Sequence, residues 1–218
     1  VTLLAYQAAF WLYRRSGMNP LANPVLIAVT ILVLLLMLTA TSYETYFAGA
    51  QFVHFLLGPA TVALAIPLYT QFRRVRSMLL PVVAGLVAGS LTAALSAIAI
   101  ARLFGASLPT QLSLAPKSVT TPIAMGIAER IGGIPSLTAV LVIVTGILGA
   151  VGARYIFDAM KLRDPAIRGF AIGVASHGIG TARAFQVSEQ AGAFAALAMG
   201  LNGALTALLL PLVLGWMR

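Results

Sequence analysis

The chain has no cysteine and very few acidic residues. Its 218 residues include 5 Asp and Glu, 14 Lys and Arg and 2 His, and charged residues make up only 9%. A soluble domain carries about a quarter of its residues as charged side chains, so this chain cannot cover a water-facing surface. The absence of cysteine excludes disulfides, a thiolate nucleophile and a zinc site built on cysteine. The composition therefore excludes a soluble globular enzyme, a disordered chain and a collagen-like fibre.

Long apolar runs dominate instead. Hydrophobic residues make up 60% of the chain, and the mean hydropathy is +0.98. A spanning helix needs about 20 residues, so the chain has room for roughly seven or eight segments. Continuous runs favour helices over the alternating strands of a transmembrane barrel. We predict an all-α membrane protein with one integral membrane domain over residues 1–218 and about seven or eight transmembrane segments.

The apolar runs set the expected segments. They are 2–13, 25–41, 51–70, 78–103, 108–129, 136–156, 169–187 and 191–217, with a polar loop predicted at 42–50. The first run is short and lacks a small-residue cleavage site, so we interpret it as a helix clipped at its start, not a signal peptide. The net charge of +9 would fit a protein that binds nucleic acid. The bases lie mostly between apolar runs, however, as in cytoplasmic loops, so no nucleic-acid partner is expected.

The fifth segment is interrupted by prolines and polar residues. It contains Pro109, Pro116, Pro122, Lys117, Ser118, Thr120 and Thr121. If it crosses the membrane, the loops carry seven and six bases on the two sides. If it enters and returns on one side, ten bases oppose three, namely Arg102, Arg130 and Arg183. The positive-inside rule favours the re-entrant scheme, and a proline-kinked span is the alternative.

Lys117 is the most informative position in that segment. A cation inside a span costs about 2.5–3.5 kcal/mol, so it needs a partner or a wet cavity. If 117–121 is helical, Lys117, Thr120 and Thr121 share a face. An ammonium beside hydroxyls suits a small carboxylate that also carries a hydroxyl or keto oxygen. The alternative is a lysine that snorkels to the interface or neutralises Glu129 or Glu189.

The seventh segment carries the second polar cluster, within GFAIGVASHGIGTARAF. Its candidate residues are Ser176, His177, Thr181 and Arg183. Closely spaced glycines weaken a helix, and a break there would aim backbone N–H groups at an anion. The alternative is a packing helix whose glycines admit neighbours. We expect this cluster and the one in the fifth segment to surround one polar cavity, with Arg183 nearer its mouth. Asn202 is a weaker candidate for that site, because an intramembrane Asn more often forms hydrogen bonds between helices.

Two parts of the chain are similar to each other in sequence. Residues 57–100 and 114–157 share 11 identities in 44 positions, where this composition alone gives about four. Duplication with broken segments in corresponding positions is typical of transporters. No carboxylate pair lies inside a segment, and neither His lies in a metal-binding motif. We therefore predict no catalytic residue, no metal and no cofactor, and a protein that is not an enzyme.

Three stretches resemble the LrgB/CidB family of bacterial membrane proteins. They are PKSVTTPIAMGIAERIGGIPSLTAVLVIVTGILGAVGA (116–153), GVASHGIGTARAF (173–185) and AMGLNGALTALLLPL (198–212). The N-terminal part is similar more loosely. Members are described either as partners of holin-like LrgA/CidA proteins that modulate murein hydrolases and cell lysis, or as carriers of small organic acids. The plastid glycolate/glycerate transporter is similar to an LrgA–LrgB fusion.

The resemblance implies a multi-pass protein of the bacterial plasma membrane. It favours a transporter of small monocarboxylates such as pyruvate, glycolate or glycerate. The alternative is an antiholin-like regulator of murein hydrolase activity and cell lysis. The expected partners are the carboxylate, the lipid bilayer, an LrgA/CidA-like membrane protein and a second copy of the chain in a homodimer.

Overall fold

The computed structural model describes residues 1–214, and every regular element there is a helix. The α-helices are α1 (Thr2–Arg15), α2 (Pro24–Leu38), α3 (Tyr43–Phe55), α4 (Leu57–Ala63), α5 (Ala65–Thr70), α6 (Phe72–Ser77), α7 (Leu79–Leu103), α8 (Leu108–Leu114), α9 (Thr121–Ile131), α10 (Pro135–Ala159), α11 (Pro165–Val187) and α12 (Glu189–Leu214). The end of the predicted eighth segment, 215–217, lies outside the described residues.

Three helices are long and apolar enough to cross a membrane: α7, α10 and α12. A bent pair, Tyr43–Val53 with Gly58–Thr70, forms a fourth candidate with an angle of 47°. The predicted helical membrane protein is confirmed, with three to four candidate spans in residues 1–214. Seven or eight spans and the internal repeat stay predictions. The polar loop expected at 42–50 is wrong, because α3 already begins at Tyr43.

The chain forms two compact units. The first covers Val1–Ile66, and the second begins at Pro67. In the first unit, Asn23 begins α2 by accepting hydrogen bonds from the N–H groups of Val25 and Leu26 at 2.9 and 3.1 Å. The hydroxyls of Thr2 and Tyr46 lie 2.8 Å apart and join α1 to α3. The single-domain assignment stays a prediction.

The second unit is arranged around α7, α10 and α12. Where α7 begins, α10 ends and α12 begins, residues of all three pack against the start of α11; we call this the Arg154 end. The opposite end is the Arg102 end. There, an apolar cluster joins α7 and α12 to the short helices α8 and α9 through Ile98, Leu112, Ile131 and Leu214.

α11 is a helical hairpin and does not continue straight. Ser176 (φ −129°, ψ 15°) and His177 (φ 40°, ψ −133°) depart from helical geometry. A Cβ built on Gly180 would lie 2.9 Å from the carbonyl oxygen of Ile172, whereas residues eight apart in one helix are separated by about 12 Å. The second arm therefore folds back along the first. Pro165 and Val187 line the same cavity, so both arms end at the Arg154 end.

The fifth segment forms a second hairpin from the opposite end. α8 ends at Leu114, α9 begins at Thr121, and residues 115–120 between them are not helical. The N–H of Ile134 donates to Ser113 Oγ at 2.7 Å, so the chain after α9 returns to the last turn of α8 at the Arg102 end. The geometry agrees with the re-entrant scheme. The helical face expected for 117–121 does not exist, because α9 begins only at Thr121.

The two glycines at the centre of α10 make room for the tip of the α11 hairpin. A Cβ on Gly146 would lie 2.8 Å from His177 Cε1, and a Cβ on Gly149 would overlap Ser176 Oγ. Gly152, one turn further, has only Ile156 Cδ1 at 4.0 Å. Gly146 and Gly149 therefore seat the hairpin tip about halfway along α10.

The hairpin corrects one expectation about charge. Arg183 was expected on the side opposite the loop before the seventh segment, because that segment was taken to cross. It instead lines a cavity with Arg154, Arg163 and Arg168, since the second arm of α11 returns. The bases of the second unit that lie at the Arg154 end are Arg73, Arg74, Arg76, Arg154, Lys161, Arg163, Arg168 and Arg183. Arg102 and Arg130 lie at the Arg102 end.

Both hairpins can be tested by cysteine labelling, because the chain has no native cysteine. We expect Lys161→Cys and Val187→Cys to react with a membrane-impermeant maleimide from the same side of sealed vesicles. Phe104→Cys and Ile134→Cys should react together from the other side. These four side chains are exposed. Labelling of positions 161 and 187 from opposite sides would show that α11 crosses.

Close packing at the α11 tip gives a second prediction. Gly149→Ala places a methyl group where Ser176 Oγ lies, so we expect a loss of about 1–3 kcal/mol of stability from overpacking. Gly152→Ala is the matched control on the same helix and should have little effect. The measurement is the midpoint of thermal unfolding of the detergent-purified protein. Equal midpoints for the two variants would contradict the placement of the tip.

Candidate functional site

The tips of the two hairpins are joined by one buried side chain. Asn202 lies near the middle of α12 and is 1% exposed. Its Nδ2 group donates to the carbonyl oxygen of Ser118 at 3.2 Å and to that of Val174 at 3.0 Å. Ser118 belongs to the non-helical tip of the first hairpin, and Val174 precedes the break in α11. The predicted broken fifth and seventh segments thus meet at the centre of the second unit.

All hydrogen-bonding positions of the Asn202 side-chain amide are occupied by protein groups. Its Oδ1 accepts from Ser90 Oγ at 2.5 Å and from Thr206 Oγ1 at 3.3 Å. A side-chain amide offers two donors and an oxygen with two lone pairs, so all four positions are used. Because Ser90 lies on α7, the amide ties α7 and α12 to both hairpins. Asn202 therefore positions the two tips, and its own polar atoms are occupied by protein groups.

Two half-helices begin at these tips. α9 begins at Thr121, and the second arm of α11 begins just after His177. The first N–H groups of a helix have no partner within it, and the helix dipole places partial positive charge there. Such N-termini attract anions. Thr120 occupies the N-cap position of α9 without bonding to its N–H groups through its hydroxyl, and Thr120 and Thr121 are half-buried.

Lys117 adds a full positive charge at the first tip. The side chain is half-buried, and its Nζ donates to Ser118 Oγ at 3.4 Å. The ion pairs found in the described residues lie elsewhere and join Arg74 to Asp164, Arg154 to Asp158 and Arg168 to Asp158. Lys117 therefore belongs to the tip that precedes α9, and its ammonium forms no ion pair with a carboxylate of the described residues.

The α11 tip is held by its own side chains. His177 is 4% exposed, and its Nε2 lies 3.0 Å from the carbonyl oxygen of Val142 on α10. A carbonyl only accepts, so Nε2 carries the hydrogen. Thr181 Oγ1 donates to the carbonyl oxygen of His177 at 2.8 Å. Ser176 Oγ is buried without a hydrogen-bond partner among the described residues, and it packs against Gly149.

The space beside the tips is small. A cavity of about 40 Å³ lies between α7, α12 and the first tip, and its polar residues are Ser90, Ser118, Asn202 and Thr206. A buried water needs roughly 10–15 Å³ of such volume, so the cavity has room for a few waters at most. A carboxylate of several heavy atoms does not fit in this cavity.

The structure therefore places the nominated residues at four positions. Lys117, Ser118, Thr120 and Thr121 lie at the first tip, and Ser176, His177 and Thr181 at the second, with Asn202 between them. Arg183 instead lines a separate cavity of about 300 Å³ at the Arg154 end. Sequence reasoning missed Ser90 and Val142. Ser90 directly follows the Gly85-xxx-Gly89 pattern, whereas Val142 acts through its backbone and gives no signal.

Metal ligands do not gather anywhere in residues 1–214. No group of three His, Asp or Glu side chains there lies close enough to hold an ion. The polar groups at the tips are hydroxyls, carbonyls, an amide and an ammonium. Such a set suits a small organic anion.

The apolar spans and opposed hairpins define a class of helical membrane protein, and sequence comparison gives its family. The chain belongs to the LrgB-like family, whose sequence model matches residues 2–216. It is 36% identical over 213 residues to the uncharacterized protein YxaC of Bacillus subtilis, which covers 98% of this chain and 92% of that protein. It is 30% identical over 213 residues to the antiholin-like protein LrgB of Bacillus cereus, covering 97% and 92%. No solved structure matches the chain.

The bridge at Asn202 can be tested by stability. Asn202→Leu leaves the carbonyls of Ser118 and Val174 buried without a donor, and each such group costs about 1–3 kcal/mol. We expect a markedly lower midpoint of thermal unfolding in detergent. Thr206→Val is the matched control, because it removes only one bond to Asn202 and should cost about 0.5–1.5 kcal/mol. A smaller loss for Asn202→Leu than for Thr206→Val would contradict the bridging role.

Proposed function

We propose that this protein is a carrier of small monocarboxylates of the pyruvate, glycolate or glycerate type. The observation that carries the proposal is the Lys117 ammonium at the hairpin tip that precedes α9, where it forms no ion pair with any carboxylate that the structure describes. One ammonium and the N–H groups of a half-helix balance one carboxylate. The choice of substrate rests on the resemblance to organic-acid carriers in the LrgB/CidB family.

The hydroxyl groups suit the rest of such a molecule. Ser118, Thr120 and Thr121 surround Lys117 in sequence, and the Ser176 hydroxyl at the other tip has no partner within the described residues. Hydroxyls that donate or accept can bind the 2-hydroxy or keto oxygen of these acids. His177 and Asn202 hold the tips, and Arg183 attracts anions from the Arg154 end.

The opposed hairpins support alternating access. α7 is followed by a hairpin at the Arg102 end, and α10 is followed by a hairpin at the Arg154 end. The same order therefore occurs twice with opposite direction, and Gly89 of α7 aligns with Gly146 of α10 in the sequence repeat. Carriers built from inverted repeats bind substrate near the midplane, where broken helices meet. The small cavity beside the tips corresponds to a closed state.

Charge supports an orientation in the bacterial plasma membrane. Of the Lys and Arg residues that the structure describes in the second unit, eight lie at the Arg154 end, two lie at the Arg102 end and Lys117 lies at the first hairpin tip. The positive-inside rule then places the Arg154 end in the cytoplasm. A homodimer and an LrgA/CidA-like membrane partner are further predictions of the resemblance, and no enzymatic activity is proposed.

A second candidate function comes from the names of relatives. The Bacillus cereus relative is named antiholin-like, which favours a regulator of murein hydrolase activity and cell lysis. Purified protein in liposomes separates the two candidates. Saturable uptake of labelled pyruvate, glycolate or glycerate supports the carrier. No uptake favours the regulator, and uptake of many solutes without saturation indicates a pore.

Lys117 gives the sharpest test of the carrier. We expect Lys117→Ala to lose saturable uptake while its thermal midpoint stays near that of the original protein, because the ammonium takes part in no ion pair of the described residues. Lys117→Arg should also lose saturable uptake, since the planar guanidinium group of arginine does not replace a compact ammonium.

Lys161→Ala is the matched control, because Lys161 is the other lysine of the chain and is exposed. It should transport normally. Normal uptake by Lys117→Ala would remove Lys117 from the site and leave the carrier without its main support.

A further inference from the structure

A second cationic cavity lies at the Arg154 end, apart from the hairpin tips. It has a volume of about 300 Å³ and opens between α10, the base of the α11 hairpin and the start of α12. Four arginines line it: Arg154, Arg163, Arg168 and Arg183. None of the lining residues within the described chain is acidic. The proposed transport site leaves this concentration of guanidinium groups unexplained.

Arg168 is held by several contacts, and Arg183 donates through Nη1 to Gln186 Oε1 at 3.2 Å. Arg168 donates through Nε to the carbonyl oxygen of Leu162 at 2.5 Å and through Nη2 to Asp158, and its guanidinium lies 5.6 Å from the centre of the Phe157 ring. Asp158 also lies 3.8 Å from Arg154 Nε. One carboxylate outside the cavity thus serves two guanidinium groups. The cavity keeps a positive potential, and such a cleft concentrates anions.

The rest of the lining is apolar. Ala150, Ala153, Ile172, Ala184 and Val187 form most of the remaining wall. The cavity lies where α10 ends and α12 begins, which is the level of the lipid headgroups if these helices cross the bilayer. An occupant with an anionic head and an apolar remainder matches both parts of the wall.

We propose that this cavity binds a phosphate group, carried by an anionic phospholipid headgroup or by a free phosphate. A phosphate oxyanion presents several acceptor oxygens and engages more than one guanidinium fork, whereas a monocarboxylate satisfies one. Basic pockets between helices on the cytoplasmic side bind anionic headgroups in this way. The site is separate from Lys117, so it stands or falls independently of the transport proposal.

The test titrates the detergent-purified protein with two probes. Native mass spectrometry measures retention of dioleoylphosphatidylglycerol against dioleoylphosphatidylcholine, and the thermal midpoint is followed with inorganic phosphate at constant ionic strength. The variant is Arg154→Gln with Arg163→Gln, because both side chains are exposed and the better-fixed Arg168 stays. Arg102→Gln is the matched control for each substitution, since it removes one guanidinium charge at the opposite end.

We expect phosphatidylglycerol to bind in preference to phosphatidylcholine, and the double variant to bind it roughly 25-fold more weakly, at about five-fold per arginine. Arg102→Gln should stay within about two-fold of the original protein, a loss well below that per-arginine effect. Stabilisation by inorganic phosphate that the double variant loses, without lipid preference, supports the site and identifies free phosphate as the source. No response to either probe, or equal losses in the double variant and Arg102→Gln, would overturn the proposal.

Discussion

The hydrogen bonds of Asn202 are the interaction on which the second unit depends. A chain broken inside an apolar protein exposes carbonyl groups that neither water nor the helix satisfies, and each costs free energy if it stays unpaired. The Nδ2 group of Asn202 satisfies one carbonyl from each hairpin, at Ser118 and Val174. Each helix break would cost free energy by itself, and the bonds from Asn202 offset that cost for both breaks together. The same amide fixes the depth at which both half-helices begin, and therefore where an anion can be attracted.

Part of this arrangement could be predicted from the sequence. Three prolines and a lysine inside the fifth segment predicted a break, and the closely spaced glycines around His177 predicted another. The positive-inside rule favoured re-entry of the fifth segment. The seventh segment was expected to cross, because both topology schemes placed Arg183 on the side opposite the loop that precedes this segment. Its reversal depends on the backbone at Ser176 and His177, and on glycines of α10 that lie about thirty residues earlier. Local composition does not report such a contact.

The candidate site shows the same limit. The two clusters were correctly identified as places where the helix opens, but the residue that joins them, Asn202, ranked as a weak candidate. A lone Asn in an apolar helix carries no spacing signal, and Ser90 even less. Arg183 was grouped with the tips by its closeness in sequence to Thr181, yet the returning arm carries it to the Arg154 end. Arg183 follows His177 by six residues, which is about 9 Å along a half-helix. That distance is enough to move its side chain from the centre towards the surface.

Charge placement then follows from the two reversals. Each hairpin returns to the end from which it came, so every base in its flanking loops stays on one side. The α11 hairpin brings Arg163, Arg168 and Arg183 together, whereas the first hairpin carries only Arg130 in its last turn. The asymmetry of charge is thus a consequence of topology, and it separates a cationic end from a centre with one ammonium. Attraction of anions at one end and a single compensating charge at the centre is the electrostatic order that the proposed carrier would need.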